Sequence, residues 1–128
     1  MIVEGPEGTI WEGGVFPCSL IFPYDYPNNP PQMTFKTAGF WHPNVFRDGR
    51  VCISILHTPD ESSGNEPLSE KWRPVLGVEQ VLVSVLSMLN EPNCNSPANS
   101  EASIQYREDP EAYRQCVRAL VRRSVEDL

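Results

Sequence analysis

Few side chains here can do nucleophilic or proton-transfer chemistry near neutral pH: four cysteines, Cys18, Cys52, Cys94 and Cys116, and two histidines, His42 and His57. A thiol is both a nucleophile and a good leaving group, so a cysteine can accept an acyl group as a thioester and yield it to an amine. No two cysteines form C-x-x-C, which argues against a zinc ribbon or a thioredoxin-type redox pair, and no metal site or bound cofactor is expected. No glycine-rich phosphate loop is present. A cysteine hydrolase would need a thiol–histidine pair, and the spacing of these residues gives no support for one. A free cysteine is ordinarily a small buried hydrophobe, so two or three of the four are expected to be inert.

The elements that must position these groups fall into two halves. The first half is strand-like and punctuated by Gly and Pro; the second is helix-like, an order that predicts an α+β fold. Residues 1–5 read as part of a strand, and Gly5-Pro6-Glu7-Gly8-Thr9 as a turn. Gly13 to Phe22 reads as a second strand with Phe16, Cys18, Leu20 and Phe22 on one face. Pro17 argues against a central strand and predicts a bulge or a strand entry there. A stiff loop, Tyr26-Pro27-Asn28-Asn29-Pro30-Pro31, precedes a third strand over 32–37. Residues 38–77 read mostly as loop, and a loop that long inside a compact domain points to function or disorder. From Gly77 onward Val78, Val81, Leu82, Val85, Leu86 and Leu89 keep helical spacing, and Val83 and Met88 widen the stripe, which predicts a central helix buried on most sides and ended by Pro92. A short helix over 99–107 follows. Asp109-Pro110 then starts a last helix, with Tyr113, Val117, Leu120, Val121 and Ser124 on one face and Arg118, Arg122 and Arg123 toward its C-terminus.

The chain has 128 residues, read as one domain over 1–128, with a net charge of −7. That balance excludes a nucleic-acid footprint and fits solubility or the steering of basic partners. The charge is uneven: Asp60, Glu61, Glu66 and Glu70 form an acidic tract, whereas Arg114, Arg118, Arg122 and Arg123 cluster near the end. No apolar run reaches the ~20 residues of a membrane span, and the first residues resemble neither a signal nor a transit peptide. Cytoplasm or nucleus is therefore the expected location, and reduced thiols follow from it.

Phe40-Trp41-His42-Pro43-Asn44-Val45, with Cys52 ten residues after His42, resembles the active-site segment of ubiquitin-conjugating enzymes. Gly13-Gly14-Val15-Phe16, Phe22-Pro23-Tyr24-Asp25-Tyr26-Pro27, Pro30-Pro31, Trp72-x-Pro74 and Glu91-Pro92-Asn93 follow in the family's order, so the resemblance covers essentially the whole chain. Nineteen residues separate Cys52 from Trp72, more than in the simplest members. That acidic insertion, with Cys52-Ile53-Ser54-Ile55-Leu56-His57 and Ser96-Pro97-Ala98-Asn99, is similar to the G-type members. The resemblance implies the ubiquitin-conjugating-enzyme fold: an antiparallel meander sheet packed on a central helix, with C-terminal helices. Family members begin with a helix ahead of the Gly-Pro turn. Here that turn comes at Gly5, so the N-terminal helix, a docking surface for the activating enzyme and ligases, is expected to be absent.

The resemblance also implies roles. Cys52 would accept ubiquitin from the activating enzyme as a thioester and transfer it to a lysine. Asn44 would stabilise the oxyanion or hold the loop, and His42 would be mainly structural. Many members carry an Asp where Ser96 stands. A lysine amine of pKa ~10.4 needs help to lose its proton, and His57 with Asp60 and Glu61 is expected to supply the polar environment. Ligase contacts are expected at Asn28, Asn29, Pro74 and Val75. The implied partners are ubiquitin, its activating enzyme and RING-type ligases. The implied outcome is chains that mark proteins for the proteasome, including proteins withdrawn from the endoplasmic reticulum, at whose cytosolic face the enzyme would work. The alternative is a truncated, catalytically impaired variant that binds ubiquitin or a ligase.

Overall fold

A computed structural model describes residues 1–58 and 70–128. Three strands come first: β1 (Ile2–Glu4), β2 (Val15–Ile21) and β3 (Gln32–Phe35). Three helices close the described chain: α1 (Val78–Asn90), α2 (Ser100–Glu108) and α3 (Pro110–Glu126). The strands form an antiparallel sheet in the order β1-β2-β3, so the α+β meander expected from the sequence is the architecture found. The stretch between β3 and α1 carries a 3-10 turn, Ser54–Leu56, and two isolated bridges, Thr34↔Arg50 and Val45↔Val51, among its described residues.

Pro17 corrects one expectation. It lies inside β2, the middle strand, not at a bulge or an entry. The register explains why the sheet tolerates it. Val15 to Pro17 pair with β1, and Cys18 to Ile21 pair with β3. Pro17 faces Lys36, just past the end of β3, where its carbonyl accepts the Lys36 N–H at 2.8 Å, so the reciprocal bond that proline cannot donate falls at the strand end and not within the β2–β3 ladder. Phe22 is the second correction. It falls beyond β2 and is largely exposed, with its ring edge-on to Tyr26 at 4.8 Å.

An aromatic stack fills the core. The rings of Phe35 and Phe40 stack at 4.0 Å, Trp11 stacks on Phe40 at 5.3 Å, and Phe16 meets Phe40 edge-on at 5.2 Å. All four are buried, and burial of each large apolar side chain contributes about 1.5–3 kcal/mol. The same Trp11 ring lies 6.0 Å from the imidazole of His42, so the core ends against the segment that carries the site.

The helix boundaries follow local chemistry. The Gly77 N–H is satisfied by Gln80 Oε1 at 2.9 Å, Asn99 Oδ1 caps α2 through the Ala102 N–H, and Asp109 Oδ1 caps α3 through the Ala112 N–H with Pro110 as first residue. In α3 the five residues expected on one face, Tyr113, Val117, Leu120, Val121 and Ser124, are all buried. Ser124 Oγ accepts the Val15 N–H at 3.0 Å and donates to Val121 O, joining α3 to β2. Arg118 and Arg123 do more than complement the helix dipole. Arg118 donates to the carbonyls of Ile10 and Glu12, and Arg123 to that of Ala38.

The expectation that α1 is buried on most sides is wrong. Val81, Val85, Met88 and Leu89 are buried, but Val83 is 59% exposed and Leu86 37%. One face of α1 packs on the core, and another borders an open groove that includes Cys52. An apolar groove lining and a core face leave the same periodic pattern in a sequence.

Candidate active site

Residues 45–51 form a tight hairpin that sets the position of Cys52. Phe46 N–H donates to Arg50 O and Gly49 N–H to Phe46 O, each at 2.8 Å. Gly49 has φ +97°, and a Cβ there would run into the Phe35 carbonyl, so the turn requires glycine. At the hairpin's base the Cys52 N–H donates to Asn44 O at 2.8 Å. This bond ties the thiol's backbone to the His42-Pro43-Asn44 triplet.

The triplet is anchored to the C-terminal end of α1. His42 is fully buried, and its Nδ1 accepts the Asn44 N–H at 2.9 Å. The ring proton therefore sits on Nε2, which donates to Met88 O at 2.8 Å. Burial pushes its pKa down to about 4, against smaller opposing contributions from the carbonyls of Met88 and Leu89. The ring is neutral and has both nitrogens occupied. Asn44 is 3% exposed and brackets the loop after α1: its Nδ2 donates to Asn93 O and its Oδ1 accepts the Asn93 N–H, both at 2.8 Å. Pro43 O accepts the N–H groups of Ala98 and Asn99. Each residue of the triplet thus holds backbone that follows or ends α1.

Cys52 itself is half-buried, and its sulfur lies 3.5 Å from His57 Nε2. Residue spacing lends no support to a thiol–imidazole pair, yet the 3-10 turn Ser54–Leu56 folds His57 back onto the thiol. The His57 carbonyl accepts the Trp72 N–H at 2.9 Å, and Trp72 Nε1 donates to Pro27 O at 2.8 Å. One buried indole therefore links the proline-rich loop to the residue beside the thiol.

Among the described residues, Cys52, Asn44, His57 and Ser96 line one groove of about 900 Å³ with Arg73, Val83 and Glu91. His42 is not on that surface, being sealed behind it. Asp60 and Glu61 lie outside the described residues. Pro74 and Val75 are exposed, Val75 at 84%. Asn28 is exposed in a turn in which its N–H donates to Asp25 O, and the side-chain amide of Asn29 also bonds Asp25. Of the other cysteines only Cys18 is buried, with its thiol pKa pushed up by burial. Cys94 is half-buried and Cys116 exposed, so the expectation of two or three buried, inert thiols is not met. The described residues hold no group of three or more His, Cys, Asp and Glu arranged for a metal ion, and no described helix is long and apolar enough to cross a membrane.

An α+β domain with a half-buried thiol at the lip of a groove defines the class structurally, and the comparisons with known proteins define it by descent. The family model for the ubiquitin-conjugating enzyme matches residues 1–121. The chain is 51% identical over 127 residues to ubiquitin-conjugating enzyme E2 15 of Schizosaccharomyces pombe, covering 98% of this chain and 75% of that protein. It is 50% identical over 125 residues to ubiquitin-conjugating enzyme E2 G2 of Homo sapiens, at 97% and 75% coverage. It is 49% identical over 122 residues to ubiquitin-conjugating enzyme E2-34 kDa of Saccharomyces cerevisiae, at 95% and 41%. The chain belongs to the ubiquitin-conjugating enzyme family. Its members are ubiquitin transferases, and membership implies ubiquitin, an activating enzyme and ligases as partners. The likeness to the G-type members read from the sequence agrees with these relatives.

Proposed function

We propose that this chain accepts ubiquitin as a thioester on Cys52 and passes it to a lysine of a substrate or of another ubiquitin, with a RING-type ligase. The observation that carries the reading is the placement of the Cys52 thiol, reachable from the groove and in contact with His57. Transfer between two thioesters is nearly isoenergetic, so the site needs positioning more than driving force. A buried bracket from Asn44 and His42 to the end of α1 suits that need. His57, with Asp60 and Glu61, is proposed to ease proton loss from the incoming lysine where Ser96 stands in place of an Asp. Asn28, Asn29, Pro74 and Val75 are proposed as ligase contacts. The likeness to G-type members supports a role in chains that direct proteins to the proteasome, including those drawn from the endoplasmic reticulum at its cytosolic face.

The test is a two-step reaction. The chain is first charged by the activating enzyme with ATP and ubiquitin, and free lysine is then added. The reading expects a thiol-sensitive adduct that lysine consumes, with the double substitution Asp60→Ala, Glu61→Ala slowing consumption but not charging. No adduct would favour the impaired, binding-only variant, and unchanged consumption would remove the acidic pair from the mechanism.

A further inference from the structure

The described residues hold no set of three or more ligands for a resident metal. The contact between Cys52 and His57 nevertheless has the dimensions of half a zinc site. In tetrahedral coordination, Zn–S of about 2.3 Å and Zn–N of about 2.0 Å place sulfur and nitrogen about 3.5 Å apart. Cys52 Sγ and His57 Nε2 are 3.5 Å apart. The pair closes on such an ion without a change in separation.

The rest of the site favours a cation at this pair. Of the chain's two histidines, His42 is fully buried with both ring nitrogens occupied, which leaves His57 as the imidazole that can ligate. Both atoms of the pair line the groove of about 900 Å³, which has room for water to fill the other coordination positions. Among the described residues of its wall, Glu70, Glu79 and Glu91 stand against Arg73, a balance that draws cations in. Thiolate and imidazole donors select zinc over the harder magnesium and calcium. Zinc has no redox chemistry, so the thiol is ligated and not oxidised.

We propose that Cys52 and His57 form a two-ligand site for zinc, and that zinc and the acyl group compete for the same sulfur. On binding, the Cys52 thiol gives its proton to solvent, the S–Zn bond forms, and the Nε2 lone pair of His57 completes the chelate. Two protein ligands make the ion a reversible occupant, not a cofactor. A sulfur held by zinc is withdrawn from attack on a thioester. A sulfur already acylated carries no charge and is a poor ligand. Zinc therefore blocks charging and spares the charged chain. Binding needs only the pair, whereas this consequence for charging rests on the carrier reading above.

The test titrates the full chain, reduced and metal-free, with Co²⁺ as a spectroscopic probe and then displaces it with Zn²⁺. The expected result is a thiolate-to-cobalt charge-transfer band that zinc removes at one equivalent, with one proton released per ion. Cys52→Ser should lack the band, His57→Ala should bind at least about tenfold more weakly, and Cys94→Ser and Cys116→Ser should match the parent. Zinc should also slow alkylation of Cys52, read by peptide mass, and a chelator should restore it. Charging is then followed from pre-charged activating enzyme, each protein being compared with itself with and without zinc. Zinc should inhibit the parent far more than His57→Ala, which reports any action of the metal on the activating enzyme. A band that survives in Cys52→Ser, equal affinity in His57→Ala, or no binding at all overturns the site and leaves the carrier reading standing. Charging at an unchanged rate by the zinc-saturated parent overturns the competition. Failure to charge even without zinc overturns the carrier reading, and the band still decides the site.

Discussion

The imidazole of His57 lies 3.5 Å, Nε2 to sulfur, from the thiol of Cys52, and the same residue's carbonyl accepts the backbone N–H of Trp72. His57 is therefore placed both to touch the reacting sulfur and to register movement in the loop that carries Trp72. His57→Ala is expected to slow lysine discharge about tenfold, the equivalent of one hydrogen bond of ~1.4 kcal/mol. Its thermal midpoint should change little. Single-turnover discharge from pre-charged Cys52 measures this, and an unchanged rate would leave His57 without a role.

His42 predicts a pH dependence of stability. Its folded pKa of about 4 lies below the ordinary histidine value of 6.5. The unfolded chain therefore takes up a proton that the folded chain refuses. The stabilisation is fully present above pH 6.5 and is lost as pH falls from 6.5 toward 4, by on the order of 3 kcal/mol. Urea unfolding at pH 7, 5 and 4 tests it. His42→Gln should be less stable at pH 7 and lack this part of the acid sensitivity; an identical slope in both proteins would refute the assignment.

Asn44 makes two hydrogen bonds to the backbone of Asn93, so its removal should be felt in folding as well as in chemistry. Asn44→Ala leaves both Asn93 groups without these partners and is expected to cost about 2 kcal/mol. Charging should survive, and lysine discharge should fall. A variant as stable as the parent but slow in discharge would shift the role of Asn44 from loop bracket to direct oxyanion contact.

Trp72→Phe keeps an aromatic side chain but removes the donor to Pro27 O together with part of the buried indole's volume. The expected result is a severalfold loss of ligase-stimulated discharge, with charging and unstimulated discharge near the parent. Equal losses with and without ligase would show that the bond only stabilises the fold.

Much of this arrangement was legible because its signals are local. Gly77, Asn99 and Asp109-Pro110 mark helix starts by their own side-chain or backbone chemistry, and all three helices begin there. The His42-Pro43-Asn44 triplet and Cys52 are read from their resemblance to the family's active-site segment, and one hydrogen bond joins them in space. What escaped depends on folding across distance. Pro17 fits a middle strand only because the pairing switches from β1 to β3 at that residue. Val83 and Leu86 look like core in a helical pattern, yet they face away from it. The contact between His57 and Cys52 needs a 3-10 turn, which leaves no periodic trace. The two bonds of Trp72 reach back 15 and 45 residues, to His57 and Pro27.

The central claim is that Cys52 carries the acyl group, and side-by-side charging of three proteins tests it most directly. With activating enzyme, ATP and ubiquitin, the parent chain should gain one ubiquitin that thiol reductant removes. Cys52→Ser should gain one that reductant leaves but hydroxide removes, and Cys52→Ala should gain none. A thiol-sensitive adduct of equal yield on Cys52→Ala, carried by Cys94 or Cys116, would contradict the account.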